Sequence, residues 1–166
     1  MRTKLIRSFG GATAVVGLML AAIIGSATAA SASETCRSDR GAGDFNCFSI
    51  DGSGFMQVRI GINIFMSPQD AQAILDCPGQ ELTAALWGDD LFSDDYLTQI
   101  ALNRAGVFSG EGTSYLDAEF LDMVDTHTLD EDWDGGDEVH GTVTMHDCRT
   151  NRNRTFDTFE IHASFG

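Results

Sequence analysis

Apolar and polar positions alternate most cleanly at Met56, Val58, Ile60, Ile62, Ile64 and Met66, which are interleaved with Gln57, Arg59, Gly61, Asn63 and Phe65. Six apolar positions at a period of two predict a strand with one face in a core. Ser67-Pro68-Gln69-Asp70 follows at once. A serine cap, a proline in the first turn and an acid three residues after the cap predict a short helix that ends before Pro78. Further strands are predicted at residues 81–87, with Leu82, Ala84 and Leu86 on one face, at 97–102 and at 115–124. Gly106, Gly110 and Gly112 read as the connection between the last two. Near the end, Val139, Val143 and Met145 alternate with His140, Thr142, Thr144 and His146. Phe159, Ile161, Ala163 and Phe165 alternate with Thr158, Glu160, His162 and Ser164. Residues 148–154 read as a polar hairpin connection, across which Thr142 and His162 would face each other, with His140 on the same outer face.

Six to eight strands, turn signals between them and one short helix predict an all-β fold, an antiparallel β-sandwich. One domain is expected over residues 47–166, with residues 31–46 as a loose lead-in. Residues 1–30 read as a signal peptide: Arg2, Lys4 and Arg7 precede an apolar run at 12–24, and small-residue cleavage sites follow. That run is shorter than the roughly 20 residues a membrane span needs, so the mature chain is expected to be secreted, with no transmembrane segment. Four cysteines in an exported chain predict two disulfides. Three pairings are open, and Cys36 with Cys47 and Cys77 with Cys148 is the preferred one.

Charge narrows the possible partners. The whole chain has a formal net charge of −15, and residues 1–30 hold three of its ten basic residues and none of its 25 acidic ones. The remainder therefore carries 25 acidic against seven basic residues, an excess of 18 negative charges and no lysine. Such a surface repels nucleic acid and anionic headgroups and attracts cations or basic partners. The same charge also confers solubility. The expected partner is an extracellular protein or surface component of basic character, met by a monomer.

The acids are concentrated in two places. Gly88 to Leu97 contains Asp89, Asp90, Asp94 and Asp95, and residues 130–138 contain Asp130, Asp132, Asp134 and Asp137. Carboxylates crowded this closely repel one another unless water or a cation intervenes. Asp130, Asp132, Asp134 and Gly135 form a D-x-D-x-D-G pattern whose hard oxygens at alternate positions suit calcium. It is not an EF-hand, because the twelfth position is Gly141 rather than a bidentate acid and the flanks read as strand. If both segments share one end of the sandwich, these eight aspartates supply the six to eight oxygens that calcium takes. A solvated acidic turn is the plainer reading.

The stretch Leu86-Trp87-Gly88-Asp89-Asp90-Leu91-Phe92-Ser93-Asp94-Asp95-Tyr96-Leu97 resembles the third calcium loop of the synaptotagmin-type phospholipid-binding sandwiches. Asp134-Gly135-Gly136-Asp137-Glu138-Val139 is similar to the first loop of that family. The resemblance implies calcium coordination by Asp90, Asp95, Asp134 and Asp137. Gly88 and Thr98 depart from the family pattern and the loops come in the opposite order, so lipid docking does not carry over.

Catalytic signatures are absent from the sequence: there is no G-x-S-x-G, no H-E-x-x-H and no phosphate-cradling glycine loop. A carboxylate pair of glycosidase type cannot be selected among so many acids. The expected role is therefore a binding or structural module rather than an enzyme. The alternative is a metal-free acidic effector, and a secreted hydrolase comes third. His140 and His162 lack a third ligand and read as exposed strand histidines, not zinc ligands. Trp87 and Trp133 each lie in or beside an acidic segment.

Overall fold

The computed structural model describes residues 33–39, 44–89, 94–110, 112–130 and 136–165. The expected signal segment lies outside them. Two antiparallel sheets pack face to face. In the first, β1 (Ser33–Asp39), β2 (Asp44–Ser53) and β3 (Phe55–Phe65) are neighbours in chain order. β7 (Thr113–Asp125) lies beyond β3, and β6 (Leu102–Gly110) forms the edge. The second sheet runs β10 (Ile161–Ala163), β8 (Asp137–Asp147), β4 (Leu82–Asp89), β5 (Asp94–Ile100). β9 (Arg152–Asp157) pairs with β8 alongside β10. Helix α1 (Pro68–Leu75) and a single turn, α2 (Thr126–Leu129), complete the described chain, an all-β sandwich with one short helix.

The period-two pattern of β3 does what it promised. Met56, Val58, Ile60, Ile62 and Ile64 are buried and meet Phe48 and Ile50 of β2, Leu116, Ala118 and Phe120 of β7, and the inner faces of β4 and β8. Burial of such side chains contributes about 1.5–3 kcal/mol each. The sheets pack tightly at Gly141, where a Cβ would stand 2.7 Å from Ile60 Cδ1. Ser67 caps α1 by accepting from the Asp70 N–H at 3.1 Å, and Ala71 and Ile74 carry the helix into the core. Disulfides join Cys36 to Cys47 across β1 and β2, and Cys77, after α1, to Cys148, after β8. Both pairings are the preferred ones.

Several expectations need correction. Residues 31–46 are not a loose lead-in, because β1 and the start of β2 occupy 33–39 and 44–46. β2 escaped notice because its inner face mixes polar and apolar residues, Asp44 and Asn46 before Phe48 and Ile50. Asp44 Oδ1 accepts from the Phe65 N–H at 3.0 Å, and Asn46 donates to the Asp157 carbonyl at 3.2 Å. The expected strand at 97–102 is divided at Ala101, where the chain passes from β5 in one sheet to β6 in the other. The glycines at 106 and 110 lie within β6, and only Gly112, at φ +79°, serves a turn. In the last part of the chain Thr142 pairs with Asp157 and His162 with Glu138, so Thr142 and His162 do not face each other. A separate strand, β9, takes the place that the hairpin connection was expected to fill.

Candidate functional site

β4 and β8 are antiparallel neighbours in register from Leu82 opposite Met145 to Gly88 opposite Val139. The end of β4 at Asp89 therefore lies beside the start of β8 at Asp137. Among the described residues, Asp89 of the first acidic segment and Asp137 and Glu138 of the second therefore lie at the same end of this sheet. Strand alternation then sorts the side chains. Gly88, Asp137 and Val139 point toward the first sheet and are buried, while Trp87, Asp89, Glu138, His140 and Thr142 lie on the outer face. Asp94 pairs with Asp89 across β4 and β5, and His162 pairs with Glu138 across β8 and β10.

Residues 158–160, between β9 and β10, rise over this face and deepen it into a cleft. Its volume is about 670 Å³, and it is lined by Trp87, Asp89, Asp94, His140, Thr142, Phe159, Glu160 and His162, with Arg37 and Asp157 at its walls. The connector is pinned by a reciprocal pair of bonds. The Gly141 N–H donates to Thr158 Oγ1 at 2.8 Å, and the Thr158 N–H donates to the Gly141 carbonyl at 2.9 Å. Trp87 Nε1 donates to Thr142 Oγ1 at 2.9 Å, and its ring meets Tyr96 edge-on at 5.5 Å. The Arg37 guanidinium lies over the Phe159 ring, 5.6 Å from its centre.

Electrostatically the cleft is a chain of contacts between titratable side chains. His162 Nδ1 stands 3.1 Å from Glu138 Oε1, and its Nε2 stands 3.5 Å from Glu160 Oε2. Glu160 in turn hydrogen-bonds Asp89, which holds the Glu160 carboxyl above its usual range; burial and the charge of Asp89 add to the shift, and His162 and His140 oppose it. Two carboxyl groups in contact repel when both are ionised, which is why the shift of Glu160 is upward. His140 Nδ1 is buried and has no hydrogen-bond partner among the described residues.

Of the eight expected calcium ligands, Asp89 and Asp94 line the cleft. Asp95 pairs with Gly88 and so points to the other side of the sheet from Asp94. Asp130 caps the end of α2, its N–H donating to the Thr126 carbonyl at 2.9 Å. Asp137 is buried on the inner face, where it accepts from the Phe165 N–H at 3.2 Å. Asp90, Asp132 and Asp134, like Trp133, lie outside the described residues. The structure adds Glu138, Glu160, His140 and His162. The signal for Glu160 was present in the alternation that set it on one face with His162. What the pattern lacked was the register bringing that face to Asp89.

Oxygen donors at this end suit a hard cation such as calcium. Among the described residues, only Glu34, Cys36 and Cys47 bring three ligand atoms within 4.8 Å of one another, and both of those sulfurs belong to a disulfide. The cleft carboxylates are therefore more widely spaced than a closed cage. His162 lies between Glu138 and Glu160.

Comparison with protein-family models, with curated proteins and with solved structures finds no match for this chain.

Proposed function

We propose that the chain is an exported β-sandwich binding module in which calcium organises the acidic end of the second sheet. Asp89, Asp94, Glu138 and Glu160 offer the oxygens, and the cleft walls, Trp87 and Phe159, meet a partner. The carrying observation is the antiparallel pairing of β4 and β8, which brings the end of β4 at Asp89 and the start of β8 at Asp137 to one end of the sheet. The contact between the Glu160 and Asp89 carboxyls supports it further, because a divalent ion would relieve the repulsion between them. The two disulfides suit the oxidising compartment of an exported protein, and no helix among the described residues is long and apolar enough to cross a membrane.

An open site that must draw its ligands together binds in the range of extracellular modules, with Kd about 10⁻⁴ M. Millimolar calcium then stabilises the fold by about 1.5 kcal/mol. The test is a calcium titration against chelator, followed by melting temperature and tryptophan emission. Trp87 is the reporter, so the emission change survives Trp133→Phe and vanishes in Trp87→Phe. A melting temperature indifferent to several millimolar calcium sinks the reading.

A second reading has its own observation. Arg37 already stacks on Phe159 at the cleft wall, so the same aromatic and acidic lining fits an arginine or lysine from a basic extracellular partner. Partner affinity that collapses with salt but ignores chelator selects this metal-free alternative.

A further inference from the structure

We propose that β6 is a docking edge for a second copy of this chain. Two molecules pair β6 with β6 antiparallel about a two-fold axis at Val107, which joins their five-stranded first sheets into one. This edge lies in the other sheet from the acidic cleft, and the proposal does not rest on the calcium reading. β6 ends its sheet, with β7 on one side and no described strand on the other. Gly110 pairs with Thr113 across a two-residue turn, so Gly110, Phe108 and Gly106 are the residues whose backbone bonds to β7. Ala105, Val107 and Ser109 therefore turn their N–H and C=O groups away from the sheet. Among the described residues, nothing bonds to that outward row.

Sheet edges are normally kept apart by charges, prolines or bulges. β6 contains no proline, no lysine and no acid. Its bulge lies at one end, between Leu102 and Arg104, and its single charge, Arg104, is paired with Asp117. From Arg104 to Gly110 the ladder is regular. Charge selects the occupant. In a molecule with 18 excess negative charges, two copies repel wherever acid meets acid. The other edges bring acids with them: Glu34 on β1, Asp94 and Asp95 on β5, and Asp157 on β9, while β10 has only three residues. β6 is the edge at which copies can approach without setting one strand's acids on the other's. A basic partner strand is drawn to the acidic edges instead.

The side chains fit the same axis. With Val107 opposite Val107 of the second copy, Gly106 stands opposite Phe108 and Ala105 opposite Ser109. Gly106 and Phe108 share the outer face of the sheet, in register with Asp117 and Tyr115. A Cβ on Gly106 would meet nothing within 4 Å, so the space over it is open. Tyr115 stacks on one face of Phe108, at 4.7 Å and 19°, and the Phe108 ring is still 48% exposed. In the pair, Phe108 of each copy covers Gly106 of the other, the cross-strand contact by which an aromatic side chain compensates for a glycine in a strand.

The test is analytical ultracentrifugation of the disulfide-intact protein in chelator, which separates this contact from the cation site. A joint one strand wide is small for an interface, so half-association is expected at about 0.1–1 mM protein. It should tighten about tenfold as sodium chloride rises from about 0.05 to 0.5 M, because screening weakens the repulsion between copies. Ser109→Pro removes an outward N–H and leaves the bonds to β7 in place. It should abolish the dimer and leave the melting temperature of dilute protein unchanged. Under oxidising conditions Val107→Cys should give a disulfide-linked dimer. Ser109→Cys alone should not, because its two sulfurs would stand about 13 Å apart along the strand, whereas Ser109→Cys mixed with Ala105→Cys should cross-link. A monomer at about 1 mM protein in 0.5 M salt overturns the proposal, as does a dimer that Ser109→Pro keeps. Cross-linking of Ser109→Cys alone as fast as Val107→Cys overturns it too.

Discussion

Glu160 and Asp89 illustrate how a single contact sets the pH behaviour of a site. The pKa of Glu160 is raised in the fold, so its contribution to stability is present below the ordinary value near 4.5 and is lost as pH rises through the folded one. In chelator, Glu160→Gln keeps a hydrogen atom on the contact at every pH. It should raise stability at pH 7 by a few tenths of a kcal/mol, about the size of an exposed charge interaction, while removing the calcium response. Opposite signs with and without calcium, read by urea denaturation, are the outcome to look for; a variant that loses stability in both conditions contradicts the repulsive contact between Glu160 and Asp89. Asp147 behaves in the reverse sense. Arg149 holds it down to about 2, so its contribution is present above the ordinary value near 3.8 and is lost as pH falls toward 2. Arg149→Gln should flatten that part of the pH–stability curve. Glu119 is likewise held low, first by Asn103 and then by Arg59, and it shares this acid-side loss.

At the scale of elements, the short connector between β9 and β10 matters more to the site than any strand, because it carries Phe159 and Glu160. Thr158→Val leaves the Gly141 N–H without its side-chain acceptor in a buried position. The expected loss is about 1–3 kcal/mol, with a calcium response reduced further because Glu160 is no longer held beside Asp89. The two disulfides should separate by what they hold. Cys77–Cys148 closes 71 residues and ties the end of α1 to the end of β8, and its removal costs about 4 kcal/mol in the chain-entropy account. Cys36–Cys47 closes 11 and costs about 3 kcal/mol, a loss that should appear first as hydrogen exchange in β1, the edge strand it holds. These elements were unequally legible in advance. β3, α1, β4, β7 and β8 carry strong alternation or a capping signal and were readable. β1, β2 and β6 were not: β6 is exposed at most positions, and β2 places Asp44 and Asn46 inside, so hydrophobic period could not announce them.

For the whole molecule, the excess negative charge makes stability a function of ionic conditions. In chelator the melting temperature should rise as sodium chloride goes from about 0.05 to 0.5 M, as screening reduces self-repulsion. Calcium at a few millimolar should exceed the effect of sodium at equal ionic strength. Equal effects would mean that general screening, not coordination, governs the acidic end. Fold class, the presence of two disulfides and the acidic character of the two segments were readable along the chain, because alternation, cysteine number and local charge are local properties, whereas the choice among three cysteine pairings was made by the fold. Which acids face which surface was not. That depends on strand register, where a shift of one residue moves a side chain to the other face. The pairing of Gly88 with Val139 sent Asp137 inward and Glu138 outward, and the pairing of Glu138 with His162 brought Glu160 to Asp89. Those are contacts between residues far apart in the chain, and only the packed sheets bring them together.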